Sequence, residues 1–210
     1  MIKILIADDH PVVRKGLKDI IEETPDMMVE DEASNGQETL EKVRKSDFDI
    51  VLLDISMPGR SGLEILKELK SEKPDLSVLI LSIHPEEQYA VRVLKAGASG
   101  YLTKESAPDE LIAAIRKAST GKKYISSSLA EKLALYLEID AEKPLHETLS
   151  DREYEVMRMI ASGKTITEIA EKLFLSVKTI STYRSRILEK MRMKSNAELT
   201  HYALKNRLVE

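Results

Sequence analysis

The sequence predicts an α/β module of five mostly parallel strands and five helices over residues 1–120 and an all-α module over 148–210, with a helix and linker over 121–147 between them. Three observations predict it. Short apolar runs alternate with amphipathic stretches through the first 120 residues, the pattern of a parallel sheet covered by helices on both faces. The runs lack polar alternation, as strands buried on both sides do. From about residue 149 the strand signals stop and the charge changes sign: Lys and Arg stand 16 to 23 against Asp and Glu in residues 1–120, but 12 to 8 in residues 148–210.

Taken in order, strands are expected at IKILIA (2–7), MVEDEAS (28–34), DIVLLD (49–54), SVLILS (77–82) and GYL (100–102). The first helix is expected over 12–23, where Val13, Leu17, Ile20 and Ile21 recur at helical spacing. The others fall near 37–45, 62–71, 86–96 and 107–119. Between the modules, the serines 126–128 read as a helix start, with a helix from about Leu129 and a polar linker over 140–148 around Pro144. In the second module, Ser150-x-x-Glu153 and Thr165-x-x-Glu168 have the form of capping boxes, which start helices near Asp151 and Ile166. Gly163 ends the first of these, and two more helices follow over 177–191 and 196–206.

Composition removes several classes of function. The 210 residues are 42% hydrophobic and 32% charged, ordinary for a soluble globular chain. With no cysteine there is no disulfide, thiol nucleophile or cysteine-bearing zinc site, which fits a reducing cytoplasm. No apolar stretch approaches the roughly 20 residues that span a bilayer, and Asp8 and Asp9 interrupt an N-terminal apolar segment already too short for a signal peptide. A cytoplasmic protein with no membrane partner is expected.

Ligands of an open parallel sheet bind beyond the carboxyl ends of its strands. Here the first strand runs into Asp8 and Asp9, the third ends in Asp54, the fourth in Ser82, and Lys104 follows the fifth. Singly these are ordinary: a carboxylate after a strand more often caps a helix than catalyses, and a lone Lys or Ser is usually turn chemistry. Together they converge on one sheet edge. Clustered carboxylates repel one another unless a cation joins them, and an oxygen-only donor set favours Mg²⁺. A lysine ammonium and a serine hydroxyl can hold phosphate oxygens, which leaves one carboxylate to attack phosphorus. Asp54 is the natural nucleophile, because it heads the central strand and the Met57-Pro58-Gly59 turn holds its loop.

IADDHPVVRKGL, DISMPGRSGLE, LILS and GASGYLTK, in this order, resemble the receiver domain of two-component response regulators over all of residues 1–120. The resemblance implies a flavodoxin-like fold with strand order 2-1-3-4-5 and phosphorylation of Asp54 by a sensor histidine kinase. It implies Mg²⁺ on Asp9 and Asp54, on Asp8 mainly through water, and on the backbone carbonyl of Ser56. Lys104 would hold the phosphoryl group, and Ser82 and Tyr101 match the switch pair, although an aromatic at residue 101 is also an ordinary packing residue. Glu105 stands where many receivers have a proline. His10, beside the acidic pair, is read as the start of the first helix, and His84 as structural.

In the second module, TITEIAEKLFLSVKTISTYRSRILEKM (165–191) reads as helix, short turn, longer helix. Ile169, Ala170 and Leu173 are expected to face inward on the first, and Val177, Ile180, Ile187, Leu188 and Met191 on the second. The opposite face of the second carries Lys178, Ser181, Thr182 and Ser185, flanked by Arg184 and Arg186. That is the layout of a helix-turn-helix, with basic groups for phosphates and short hydroxyls for bases. A solvated helix of an ordinary bundle has the same periodicity. The stretch from Leu149 onward is similar to the LuxR-type output domain of the NarL/FixJ class, with departures at Ser181, Tyr183 and Arg186. The expectation is a phosphorylation-controlled regulator of transcription that binds double-stranded promoter DNA, forms a homodimer on phosphorylation or on DNA, has RNA polymerase as a further partner, and is not an enzyme. Its rivals are a Mg²⁺-dependent phosphatase or phosphotransferase and an unphosphorylated DNA binder.

Overall fold

The computed structural model describes residues 1–106, 108–131 and 144–209. The chain forms two compact units, Met1–Ala134 and Leu135–Glu210. In the first, β1 (Ile2–Ala7), β2 (Met27–Ala33), β3 (Ile50–Asp54), β4 (Ser77–Ser82) and β5 (Gly100–Thr103) form one parallel sheet in the order β2-β1-β3-β4-β5. The helices between and after them are α1 (Pro11–Glu22), α2 (Gly36–Lys45), α3 (Gly62–Glu72), α4 (Glu86–Lys95) and α5 (Pro108–Ser119). Every strand and helix expected over residues 1–120 is present, with bounds moved by a residue or two.

The central strands are apolar for the reason anticipated: side chains alternate across the sheet, and both faces are covered. Ile4, Ile6, Ile50, Leu52, Leu79, Leu81 and Leu102 pack with Ile21 of α1 and with Leu111, Ala114, Ile115 and Ala118 of α5. The intervening Leu5, Val51, Leu53, Val78 and Ile80 are fully buried on the other face, where α2, α3 and α4 pack on β2, β3 and β5. Each such Leu or Ile contributes about 1.5–3 kcal/mol on burial, so the carboxyl ends of β1, β3 and β4 rest on a stiff core. β1 and β2 shift register between Ile4 and Leu5, which leaves Glu30 as the extra residue of the edge strand.

After α5, Tyr124 bridges to Gly100 at the sheet edge, and a helical stretch over 127–131 starts where the serines suggested. Ser126 Oγ accepts from the backbone N–H of Leu129 at 3.1 Å. The remainder of that expected helix and the linker residues 140–143 lie outside the described residues. Residues Leu145–Thr148, expected as plain linker, form a 3₁₀ turn instead. His146 Nδ1 lies 2.9 Å from the Tyr202 hydroxyl, so the turn is tied to the last helix.

The second unit contains α6 (Asp151–Ala161), α7 (Ile166–Leu173), α8 (Val177–Lys190) and α9 (Asn196–Lys205). Both capping boxes form, with Ser150 and Glu153, and Thr165 and Glu168, exchanging side-chain and backbone hydrogen bonds. Gly163, at φ +84°, ends α6 as expected. Ile169, Ala170, Leu173, Ile180, Ile187 and Met191 are buried, but Val177 is 49% exposed and Leu188 is only half-buried. Val177 is the first residue of α8, and periodicity along the helix does not register where the packing stops. Among the described residues no helix is long and apolar enough to cross a membrane.

Candidate functional site

The strand ends deliver the expected side chains to one place. Asp54, the last residue of β3, is 1% exposed, and its Oδ2 accepts from Lys104 Nζ at 2.7 Å. The same ammonium lies 2.6 Å from Asp8 Oδ2, and Asp8 is also 1% exposed. Asp54 Oδ1 accepts the backbone N–H of Ser56 at 3.0 Å. Lys104 is held from below, where its own N–H donates to the carbonyl of Ser82 at 2.8 Å.

Two glycines set the loop after Asp54. Gly59 has φ +83°, a conformation few other residues adopt without strain. Gly62 opens α3 so close to β3 that a Cβ would lie 2.5 Å from the Asp54 carbonyl oxygen. The Ser61–Glu64 capping box then fixes the entry of α3. The sequence reading overlooked this box, although its S-x-x-E signal is present.

The electrostatics are those of an acidic pocket short of positive charge. Burial pushes the Asp54 carboxyl above its ordinary value, against the pull of Lys104. Burial lowers the Lys104 ammonium, but the attraction of Asp54 and Asp8 and the hydrogen bond to Asp54 outweigh it and the net direction is up. Asp8 Oδ2 and Asp9 Oδ1 are shut off from solvent without a hydrogen bond. Lys104 and His10 approach them at 2.6 and 2.8 Å, which is ion-pair distance but off hydrogen-bond angle. Asp8, Asp9, His10 and Asp54 each present a ligand atom within 4.8 Å of the others. Three carboxylates facing one lysine leave an excess of negative charge, and an oxygen-rich set with two unsatisfied buried oxygens fits a hard divalent cation.

His10 occupies the N-cap position of α1, as expected, and makes no side-chain cap there. Its exposed ring nevertheless turns back on the acidic pair, with Nδ1 3.2 Å from Asp8 Oδ1. Arg14, which sequence reasoning missed, donates to the Asp8 carbonyl at 2.7 Å and to Glu32 at 3.0 Å. Ser82 and Tyr101 are fully buried and meet at one loop: Ser82 Oγ accepts from His84 N–H at 3.0 Å, and the Tyr101 hydroxyl donates to the His84 carbonyl at 2.7 Å. His84 itself packs its ring on Tyr89, with centroids 5.3 Å apart.

On α8, Lys178, Ser181, Thr182, Ser185 and Arg186 are exposed along one face, and Arg184 is half-buried. Thr182 and Ser185 return their hydroxyls to the carbonyls one turn back, at 3.0 and 3.2 Å. Arg184 donates to Asn196 at 2.7 Å, and Lys190 to the buried Glu153 at 2.6 Å. Of the basic residues over 177–194, then, Lys190 serves packing between α6 and α8.

Comparison with known proteins places both units. Residues 4–116 match the response regulator receiver domain, and residues 147–203 match the bacterial regulatory proteins of the luxR family. The chain is 38% identical to the response regulator UvrY of Escherichia coli K12, over 99% of this chain and 96% of that protein. It is 39% identical to the oxygen regulatory protein NreC of Staphylococcus epidermidis, over 99% of each. Among solved structures, RcsB of Salmonella enterica serovar Typhimurium, bound to promoter rprA in the presence of the phosphomimetic BeF₃⁻, is similar with a TM-score of 0.68 and 29% identity, covering 96% of this chain and 97% of that one.

Proposed function

The chain belongs to the NarL/FixJ family of response regulators, which join a receiver domain to a LuxR-type DNA-binding domain, and from that premise we propose how its own residues carry the signal. It is a DNA-binding response regulator of a two-component system. Asp54 is the phosphoacceptor: its carboxylate attacks the phosphorus of a phosphohistidine on the kinase, the P–N bond breaks, and an aspartyl phosphate forms. Asp9 and Asp54, with Asp8 mainly through water and the Ser56 carbonyl, would hold Mg²⁺, which would supply positive charge against that developing on the phosphoryl oxygens. Lys104, already on Asp54 Oδ2, passes to a phosphoryl oxygen. Ser82 turns its hydroxyl to another, gives up the His84 amide, and Tyr101 follows the loop.

The phosphoryl group serves here as a signal and not as an intermediate in turnover of small phosphates. Residues 1–120 act as the receiver, 121–147 as the connection and 148–210 as the DNA-binding domain. Lys178, Arg184 and Arg186 contact phosphates, and Ser181, Thr182 and Ser185 face bases. The protein acts in the cytoplasm as a homodimer formed on phosphorylation or on DNA, with RNA polymerase as a further partner at the promoter.

The single observation that carries this reading is the buried triangle of Asp8, Asp54 and Lys104 at the carboxyl edge of the sheet. Incubation with acetyl phosphate and Mg²⁺ tests it. A hydroxylamine-sensitive acyl phosphate should form, and Asp54→Asn or EDTA should abolish it. Equal labelling of Asp54→Asn and wild type overturns the assignment. Equal promoter affinity with and without phosphodonor overturns the switch.

A further inference from the structure

The turn between α7 and α8 carries two features that folding does not call for. Phe174 ends α7 in the left-handed conformation, at φ +54°, where Gly or Asn is the inexpensive choice. It is 72% exposed. The backbone cap is complete without its side chain, since the N–H groups of Phe174 and Leu175 reach the carbonyls of Glu171 and Ala170. Three residues on, Val177 opens α8 with half its surface in solvent. Between them Ser176 caps α8, its Oγ accepting from Thr179 N–H at 3.0 Å. Scattered exposed apolar residues are ordinary. Here two bracket the N-cap of the one helix whose polar face is proposed to enter DNA.

Val177 stands one helical turn ahead of Ser181 and next to Lys178, so it continues that face toward the helix N-terminus. N-terminal residues of a recognition helix are the ones that reach base edges. In the major groove, thymine alone presents a methyl group. A branched aliphatic side chain has no hydrogen bond to offer there, but it can take that methyl out of water. The hydroxyls of Thr182 and Ser185 donate back into their own helix, so the polar part of the face discriminates weakly by itself.

We propose that Val177 is a specificity-determining residue that buries a thymine methyl in the major groove, while Phe174 packs on the sugar-phosphate backbone beside it. The inference rests on the placing of α8 in the groove and extends it to a base preference. Burial of one methyl corresponds to about a fourfold change in affinity.

The test uses the full chain and DNA duplexes selected by it from a randomised pool. Each thymine of a selected duplex is replaced in turn by deoxyuridine, which removes only the methyl. In wild type, one thymine per half-site should cost about fourfold in affinity on replacement. Val177→Ala should lose the same factor on the thymine duplex and nothing further on the uracil duplex. Both proteins should melt alike, because the site is exposed. Phe174→Asn, which tolerates the left-handed backbone, should weaken selected and unrelated duplexes by one common factor. Uracil costs that persist unchanged in Val177→Ala, or that are absent in wild type, overturn the assignment of Val177. A Phe174→Asn variant that binds unrelated DNA as well as wild type overturns the backbone contact. A pool that enriches no sequence overturns the groove reading on which both stand.

Discussion

Tyr101 donates its hydroxyl to the backbone carbonyl of His84 at 2.7 Å, from the end of a fully buried ring. The same His84 gives its N–H to Ser82 Oγ. One peptide segment therefore joins Ser82, at the end of β4, to the aromatic on β5. These two bonds hold the start of the loop between β4 and α4 against both strands.

Tyr101→Phe keeps the ring and removes the bond. The cost should be about 1 kcal/mol, that of one neutral hydrogen bond, read as a lower urea midpoint with unchanged slope. The phosphorylation-dependent gain in promoter affinity should shrink, because the unphosphorylated loop is no longer held back. An unchanged gain would dissociate the ring from the switch.

Mg²⁺ should stabilise the protein through the acidic pocket. At a hundredfold excess over its Kd a native-state ligand adds about 2.7 kcal/mol, visible as a higher Tm than in EDTA. Asp9→Asn should abolish that increment without lowering stability in EDTA, since it removes one of three crowded carboxylates. Differential scanning calorimetry with and without the ion separates the two effects.

Glu38 predicts the acid limb of stability. Its carboxylate accepts from Ser34 N–H and Oγ at 2.7 and 2.8 Å, and Asn35 caps α2 in return. The Ser34 amide, helped by the Ser34 hydroxyl and Lys42 and opposed by partial burial, holds its pKa down at about 2, against an ordinary 4.5. The folded value is depressed, so the charged form stabilises fully above about pH 4.5, and the benefit fades as pH falls toward about 2. Glu38→Gln, which keeps a neutral acceptor, should be less stable than wild type at neutral pH and should converge on it across that window. Chemical denaturation at stepped pH measures the convergence.

Lys190 and Lys178 lie on one helix but should behave differently. Lys190→Ala removes the partner of Glu153, whose side chain is 4% exposed, and should cost stability of the helical unit by about 1–2 kcal/mol. It should leave the salt dependence of DNA binding nearly intact. Lys178→Ala should spare stability and reduce the slope of log affinity against log salt by about one. Melting curves and salt titrations of the two variants decide it.

Much of this molecule was legible from its amino-acid order. Apolar runs bounded by helices announced the parallel sheet, and S-x-x-E and T-x-x-E announced helix starts in the second unit, because these are local rules of backbone and side-chain geometry. The convergence of Asp8, Asp9, Asp54 and Lys104 was legible too, since each closes or follows a strand and strands of a parallel sheet end together. The 3₁₀ turn at 145–148 was hidden, and so was its contact with Tyr202, more than fifty residues away. So was the use of Lys190, which reads as one more basic residue until Glu153 is found beneath it.

By itself the sequence determined which residues become strand and helix, where the helices of the second unit begin, and which acidic and basic groups share an edge. Only the tertiary structure decided that Lys104 bridges Asp8 and Asp54, that His10 leans on the acidic pair, that Tyr101 holds the His84 carbonyl, and that Val177 faces solvent. The reason is one of range. Periodicity and capping act within a turn or two of the chain, whereas ion pairs and exposure depend on which distant segments arrive alongside.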